Sequence, residues 1–224
     1  MAINHALDRA AQNSPADAHF ARVERQGTYG HRHRLALVTA TGPTAARDLA
    51  DAIHLMCAVY GRHPGLIELA LSNCAPGPVR DWLREASDAY ERERLYLVRL
   101  TSAVGPLPST PGAAETEAAL VSQRHAIETL AKSERGGCAL GAATALMADW
   151  PAVRGVLDRA AERMGVATPA VTLPDTASVV AVIDRGCQSV ATVRALAFGG
   201  EQLLLQNCGL FDLLEARAAA RGDD

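Results

Sequence analysis

The side chains able to do chemistry are few, and they fall on segments with helical periodicity. Asp51-Ala-Ile-His54 sets a carboxylate and an imidazole at i and i+3, on one helix face, where both can reach a single ion. His125-Ala-Ile-Glu128 offers the same spacing in the opposite order, and Glu93 and Glu134 stand where the apolar pattern turns inward. Bundles that hold paired iron or manganese take a Glu from two helices and a Glu-x-x-His pair from each of two others. Asp51, His54, Glu93, Glu128 and Glu134 are therefore the candidate metal ligands, and a metal-dependent oxidase or oxygenase is the activity they would support. The set departs from that pattern twice: its acid-x-x-His pair carries Asp, and the second such helix is missing.

Each of these residues also has a plainer reading. His54 lies within Ala-Ile-His-Leu-Met-Cys-Ala-Val, the setting of a hydrogen-bonded core histidine. Glu93 belongs to Tyr90-Glu-Arg-Glu-Arg-Leu95, a charge run of the kind that forms intrahelical pairs on a solvated face, and Glu128 precedes Lys132 by four residues. Glu134 can pair with Arg124 or Arg185, because a buried carboxylate needs a partner. His31-Arg-His-Arg34 can offer imidazoles to a metal or arginines to phosphate, but no acid or cysteine nearby completes a metal set, which favours an exposed loop. Asp184, Arg185, Gln188, Thr192 and Arg194 form a polar strip that suits a small-molecule cavity or a subunit contact. Gly137, Gly141 and Ala145 form a ridge of small residues that lets another backbone approach or floors a pocket for a flat apolar ligand.

No phosphate-binding Gly-x-x-x-x-Gly-Lys-Ser/Thr, no Gly-x-Gly-x-x-Gly, no Gly-x-Ser-x-Gly and no His-Glu-x-x-His occurs in the sequence. With no complete catalytic set, the leading expectation is a helical-bundle protein that binds a partner or small ligand without catalysis and without a cofactor. The metal-dependent oxidase or oxygenase, with iron or manganese, is the alternative.

The elements that must position these residues follow from composition and pattern. The 224 residues are 49% hydrophobic but only 4% aromatic, and 44 of them are alanine, which favours closely packed helices. A formal net charge of −3 gives no electrostatic reason to expect nucleic acid, and no apolar run reaches the length of a membrane span. Residues 1–8 show no secretion signal, and five widely spaced cysteines read as reduced thiols, so the expected compartment is the cytoplasm.

Along the chain, residues 1–42 read as an irregular segment with one short helix, started by Ser14-Pro15-Ala16-Asp17, and an extended run at Leu35-Ala-Leu-Val-Thr39. Residues 43–224 read as a single helical domain. Its core, 43–165, is an antiparallel four-helix bundle built from 43–60, 78–104, 113–147 and 151–164. A C-terminal helix pair occupies 174–221, divided at Gly199-Gly200, with a homodimer expected through it. The clearest seam is Val79, Leu83, Ala86, Tyr90, Glu93, Leu97, Leu100 and Val104, spaced alternately by four and three.

Gly61-Arg-His-Pro-Gly65, Gly105-Pro-Leu-Pro-Ser-Thr-Pro-Gly112 and the downstream Asp149-Trp150 resemble an uncharacterised bacterial all-helical family of unknown function. That resemblance covers most of residues 43–165 and implies no activity, cofactor or ligand residue. A looser, fold-level likeness to ferritin-like bundles rests on helix lengths and inward acids.

Overall fold

The structure, a computed structural model, describes residues 14–222; the segment read for a secretion signal lies outside them. Nine α-helices and one short 3-10 turn make up the regular structure among the described residues, with no strand. Helix α1 (Pro15–Gln26) starts as its sequence dictates: the Ser14 hydroxyl accepts from the Asp17 amide at 3.0 Å and Asp17 accepts the Ser14 amide at 3.1 Å, with Pro15 at the first helical position. After the turn at Thr28–Gly30 comes α2 (Arg32–Thr39), where an extended run was expected. No strand is present to pair with it, and the segment is capped instead: His31 Nδ1 accepts the His33 amide at 3.2 Å, and buried Arg34 donates from Nε to the Ala152 carbonyl at 3.0 Å. The His31-Arg-His-Arg34 cluster is therefore an anchored helix start rather than an exposed loop.

The chain continues through α3 (Ala45–Tyr60), α4 (Leu66–Ser72), α5 (Pro78–Ala103), α6 (Ala113–Ala131), α7 (Cys138–Met164), α8 (Thr176–Gly186) and α9 (Val190–Ala220). Three expected boundaries are corrected. The helix expected over 113–147 ends at Ala131, and Gly137, with φ of 99°, opens α7. Pro151 lies inside α7 instead of starting a helix. That position costs about 3 kcal/mol in an isolated helix, which the burial of both halves of α7 offsets here. The expected 174–198 helix breaks at Cys187, because Ser189 caps α9 by exchanging hydrogen bonds with Thr192 at 3.1 Å. Asp184, Arg185 and Gln188 are consequently exposed around a helix junction, not lined up on one buried strip.

Every other described helix touches α7, which is buried almost continuously from Leu140 to Met147 and carries Trp150 at its centre. The small-residue ridge explains the closest of these contacts. A Cβ added to Gly141 would lie 2.0 Å from the Leu196 carbonyl oxygen, and one added to Gly199 would lie 2.0 Å from that of Cys138. Helices α7 and α9 thus meet backbone to backbone, and the ridge is filled by α9 rather than left as a pocket floor. For the same reason α9 runs straight through Gly199-Gly200, where a break was expected. The five cysteines are unpaired. No described helix is long and apolar enough to cross a membrane.

His19 on α1 is wedged into this packing against Gly200, 1% exposed. Neither ring nitrogen has a hydrogen-bond partner among the described residues; the nearby Thr144 backbone does not reach hydrogen-bond geometry. Burial, helped by the Arg22 charge, pushes the imidazole down to about 4. The unfolded chain takes up a proton near pH 6.5 that the folded chain refuses until about pH 4. Stability therefore falls as pH drops through that window, by about 3 kcal/mol in total. Urea unfolding at several pH values between about 7 and 4.5 should show this loss, and His19→Leu should remove most of it. A wild-type midpoint that stays flat across the window would refute this assignment.

Candidate functional site

Of the five sequence-predicted ligands, Glu93 and Asp51 are buried, Glu93 in the core as the seam requires. The Glu93 carboxylate accepts from Trp150 Nε1 at 2.9 Å and from Arg154 Nη1 at 2.8 and 3.0 Å. Arg154 continues to Asp158 at 2.7 Å and the Pro169 carbonyl at 2.6 Å, so this ion pair is fully hydrogen-bonded, as its burial demands. Asp51, 1% exposed, receives Arg217 through Nε and Nη2, the shortest contact 2.7 Å, and Arg221 at 2.8 Å. Half-buried His54 donates from Nε2 to the Gly105 carbonyl at 2.8 Å. Glu128 is exposed and pairs with Lys132 at 3.3 Å, and Glu134 is exposed near the start of α7.

The structure does not bring these five residues together. Among the described residues, the group of three acids or histidines whose ligand atoms lie within 4.8 Å of one another is His63, Glu68 and Glu91, which includes none of them. The centre of that group already holds a cation. Arg94, with only 4% of its side chain exposed, donates to Glu68 at 2.5 Å, approaches Glu91 at 3.1 Å and donates to His63 Nδ1 at 2.7 Å. Arginine has no acceptor, so His63 presents a bare Nδ1 to it and carries its proton on Nε2.

Arg94 and Glu68 instead fasten a turn. Helix α3 stops at Gly61, where an added Cβ would lie 2.6 Å from the Cys57 carbonyl oxygen. The chain then turns through Arg62, His63 and Pro64, with a cis His63–Pro64 bond, into α4. Glu68 Oε2 accepts the Gly65 amide at 2.7 Å, its Oε1 accepts from Ser87 at 3.2 Å, and Arg94 also donates to the Arg62 carbonyl at 3.3 Å. One carboxylate and one guanidinium thereby fix the 61–65 turn against α5.

Behind that turn lies a cavity of about 230 Å³. Its floor and sides are Tyr60, Leu66, Leu69, Tyr90, Ile127 and Leu146, and its rim carries Arg62, His63, Arg124, Glu128 and Lys132. Tyr60 and Tyr90 both stand edge-on to Trp150, with ring centroids 5.7 and 4.8 Å away. The two phenols differ in one respect. The Tyr60 hydroxyl donates to Asn207, whose amide donates to buried Asp149 at 2.7 Å, and Asp149 in turn accepts from Thr28. Burial still pushes the Asp149 carboxyl above its ordinary range. The Tyr90 hydroxyl, in a residue 3% exposed, has no hydrogen-bond partner among the described residues. Burial holds this phenol well above its ordinary range, so it remains protonated and able to donate.

Larger concavities of about 690 Å³ beside Arg47 and Pro106, about 630 Å³ between α1 and α7 and about 480 Å³ beside Arg135 and Phe198 are more open surface grooves. Among the described residues, no Ser, Thr or Cys lines the half-open cavity behind the 61–65 turn. It offers an apolar, partly aromatic wall and a charged rim. Sequence reasoning placed Tyr90 in the core seam and missed the site, although two of the quoted stretches, 61–65 and Asp149-Trp150, supply its turn and the ring behind its floor. The buried arginines were legible in principle, since Arg217 and Asn207 continue the apolar stripe of α9 through Leu203, Leu210 and Leu214.

Nothing among curated proteins and nothing among solved structures matches this chain. A family model does match, over residues 23–222, and that span includes the whole cavity wall and the α7–α9 contact. The chain belongs to this family, described as a family of unknown function (DUF6975).

Proposed function

We propose that this protein binds a small ligand without transforming it, and that the ligand occupies the cavity behind the 61–65 turn. The antiparallel core expected from the sequence serves, in this reading, as the scaffold: α3, α5, α6 and α7 each contribute a wall residue. The observation that carries the reading is the half-open cavity itself, about 230 Å³, with Tyr60, Leu66, Leu69, Tyr90, Ile127 and Leu146 along its wall and Arg62, Arg124 and Lys132 at its rim. A few convergent polar groups over an apolar floor are what a ligand site needs.

A ligand-observed NMR screen of small fragments at about 1 mM tests it, since millimolar binding is detectable at that level. Hits should compete with one another and disappear in Leu69→Trp, which fills the cavity from a half-buried position on α4. A folded wild-type protein that yields no such hits refutes the reading. The dimer expected through the C-terminal helices would use Phe198 and Leu205, which stay exposed on α9. A solution mass of 23.6 kDa at micromolar concentration removes it.

A further inference from the structure

We infer that two copies of this chain pair along α9, antiparallel around a two-fold axis near Phe198, with Arg194 of each copy set against Glu201 of the other. This rests on the dimer expected through the C-terminal helices and goes on to name its face, direction and register.

Helix α9 leaves one stripe uncovered. Helix α7 packs beneath it, Gln123 of α6 donates to its Gln206 carbonyl on one flank, and Cys208 reaches the Gln26 carbonyl of α1 on the other. Ala191, Arg194, Phe198, Glu201 and Leu205 remain exposed, and their separations of three and four residues place them on one helix face. Phe198 is 46% exposed and Leu205 is 55% exposed, so two large apolar side chains stand on this face with a cation and an anion beside them.

The charges set the partner. Neither Arg194 nor Glu201 makes an ion pair among the described residues. Seven residues separate them, roughly 10 Å along the axis, so they do not reach each other within one chain. A two-fold axis near Phe198 that runs across the helix brings each to the other's counterpart, because the two lie at nearly equal distances on either side of that residue. One axis therefore forms the same pair twice and sets the Phe198 rings side by side. Other arrangements of the stripe do worse. Parallel pairing stacks arginine on arginine and glutamate on glutamate, an axis near Glu201 sets that carboxylate against its own copy, and an axis near Leu205 sets Phe198 against exposed Asp212.

The surface has a matching recess. In the antiparallel register Leu205 of the other copy comes down over Ala191 and Ala195, whose short side chains, with Arg135 and Gly136, leave a groove of about 480 Å³ beside Phe198. A contact confined to about four turns of one helix lies at the small end of specific interfaces, below about 1,200 Å² in total, which gives a dimer that forms and separates in the micromolar range.

Analytical ultracentrifugation of the full chain from about 0.1 to 100 µM, at low ionic strength, tests the assignment. The mass should rise toward twice 23.6 kDa with concentration. Phe198→Glu places two carboxylates at the axis and should weaken the dimer at least about a hundredfold. Arg194→Glu and Glu201→Arg, taken singly, each turn two opposite-charge contacts into like-charge ones and should weaken it about tenfold. Both reversals in one chain, or an equal mixture of the two single variants, should restore the parent affinity. All three positions are exposed, and thermal melts near that of the parent establish that the variants are folded. A dimer that survives Phe198→Glu or either single reversal, or a double reversal no tighter than the single ones, overturns the inference and leaves a dimer through another surface. A mass of 23.6 kDa throughout the range removes the dimer and the inference together.

Discussion

Gly141→Ala should lower the unfolding free energy by about 3 kcal/mol, a shift of roughly 10 °C in melting temperature for a chain of this size. The new methyl would sit 2.0 Å from the Leu196 carbonyl oxygen, 2.7 Å from its carbon and 2.8 Å from its Cα. All three are backbone atoms in the second turn of α9, so relief requires the two helices to separate, and α9 cannot move without loosening the rest of its contact with α7. The gain of about 1 kcal/mol from replacing a helical glycine by alanine does not offset this. Gly209, on the exposed side of α9, has nothing within 4 Å of an added Cβ. Gly209→Ala on the same helix should therefore raise stability by about 0.5 to 1 kcal/mol. Opposite signs at the two positions, measured by thermal or urea unfolding, are the expected result. A Gly141→Ala protein that melts within a degree or two of the parent would show that α7 and α9 are not packed this closely.

The second large effect falls on Asp51. Removing this carboxylate leaves Arg217, with 5% of its side chain exposed, and Arg221 without the anion they share, while the neutral Thr110 and Thr116 hydroxyls, the Pro108 carbonyl and the Asp48 carboxylate remain beside them. Breaking a buried pair by deleting one partner costs about 3 to 5 kcal/mol, because the surviving charge stays desolvated. Asp51→Leu should lose about 4 kcal/mol, and Asp51→Leu combined with Arg217→Met should recover a good part of that loss. Urea unfolding of the single and double variants checks both statements. If the double variant is weaker by the sum of two independent losses, the pair is not acting as a unit. The outcome also bears on the expected metal role, since a residue that two guanidiniums hold for structure affects folding before it affects any bound ion.

Much of the architecture could be read from periodicity. The α5 seam from Leu83 to Leu100, with Glu93 inside it, and the α3 stripe of Leu49, Ile53, Met56 and Tyr60 are buried as their spacing requires, while Val79 and Val104 at the seam's ends are half-buried. The ridge at Gly137, Gly141 and Ala145 announced a close helix contact and left its partner open. Sequence reasoning failed where one residue type serves two purposes. Gly199-Gly200 and Pro151 look like punctuation, yet the glycines admit the Cys138 backbone and His19, and the proline is carried inside a helix buried on both sides of it. The Leu35 run reads as extended from its β-propensity even though no partner strand is evident, and it is the His31 cap and the Arg34 anchor that make it helical.

The candidate site was less legible for a different reason. A buried arginine, a carboxylate and a phenol acquire their meaning from partners contributed by other helices. Glu93 finds Arg154 across 61 residues, Asp51 finds Arg217 across 166, and the Tyr90 hydroxyl finds no hydrogen-bond partner among the described residues. An unmet hydrogen bond has no spacing and leaves no trace in a single sequence. Acid-x-x-His spacing, by contrast, is conspicuous and was followed to residues that the fold had already paired elsewhere.

The central position of α7 has a consequence for how the chain is made. The helices that surround it in the first half of the sequence, α1 to α6, are all synthesised before residue 138. Their buried faces are completed by a segment that arrives last but two. At about 5 to 20 residues per second, several seconds separate the emergence of α3 from that of α7. Throughout that interval the faces carrying Leu49, Ile53, Met56, Leu83 and Leu97 lack the surface they are shaped to meet. Nascent chains halted before residue 138 should accordingly be protease-sensitive and chaperone-bound, and those extended past residue 220 should not. Such a fold is assembled around its axle only after most of the wheel has been delivered.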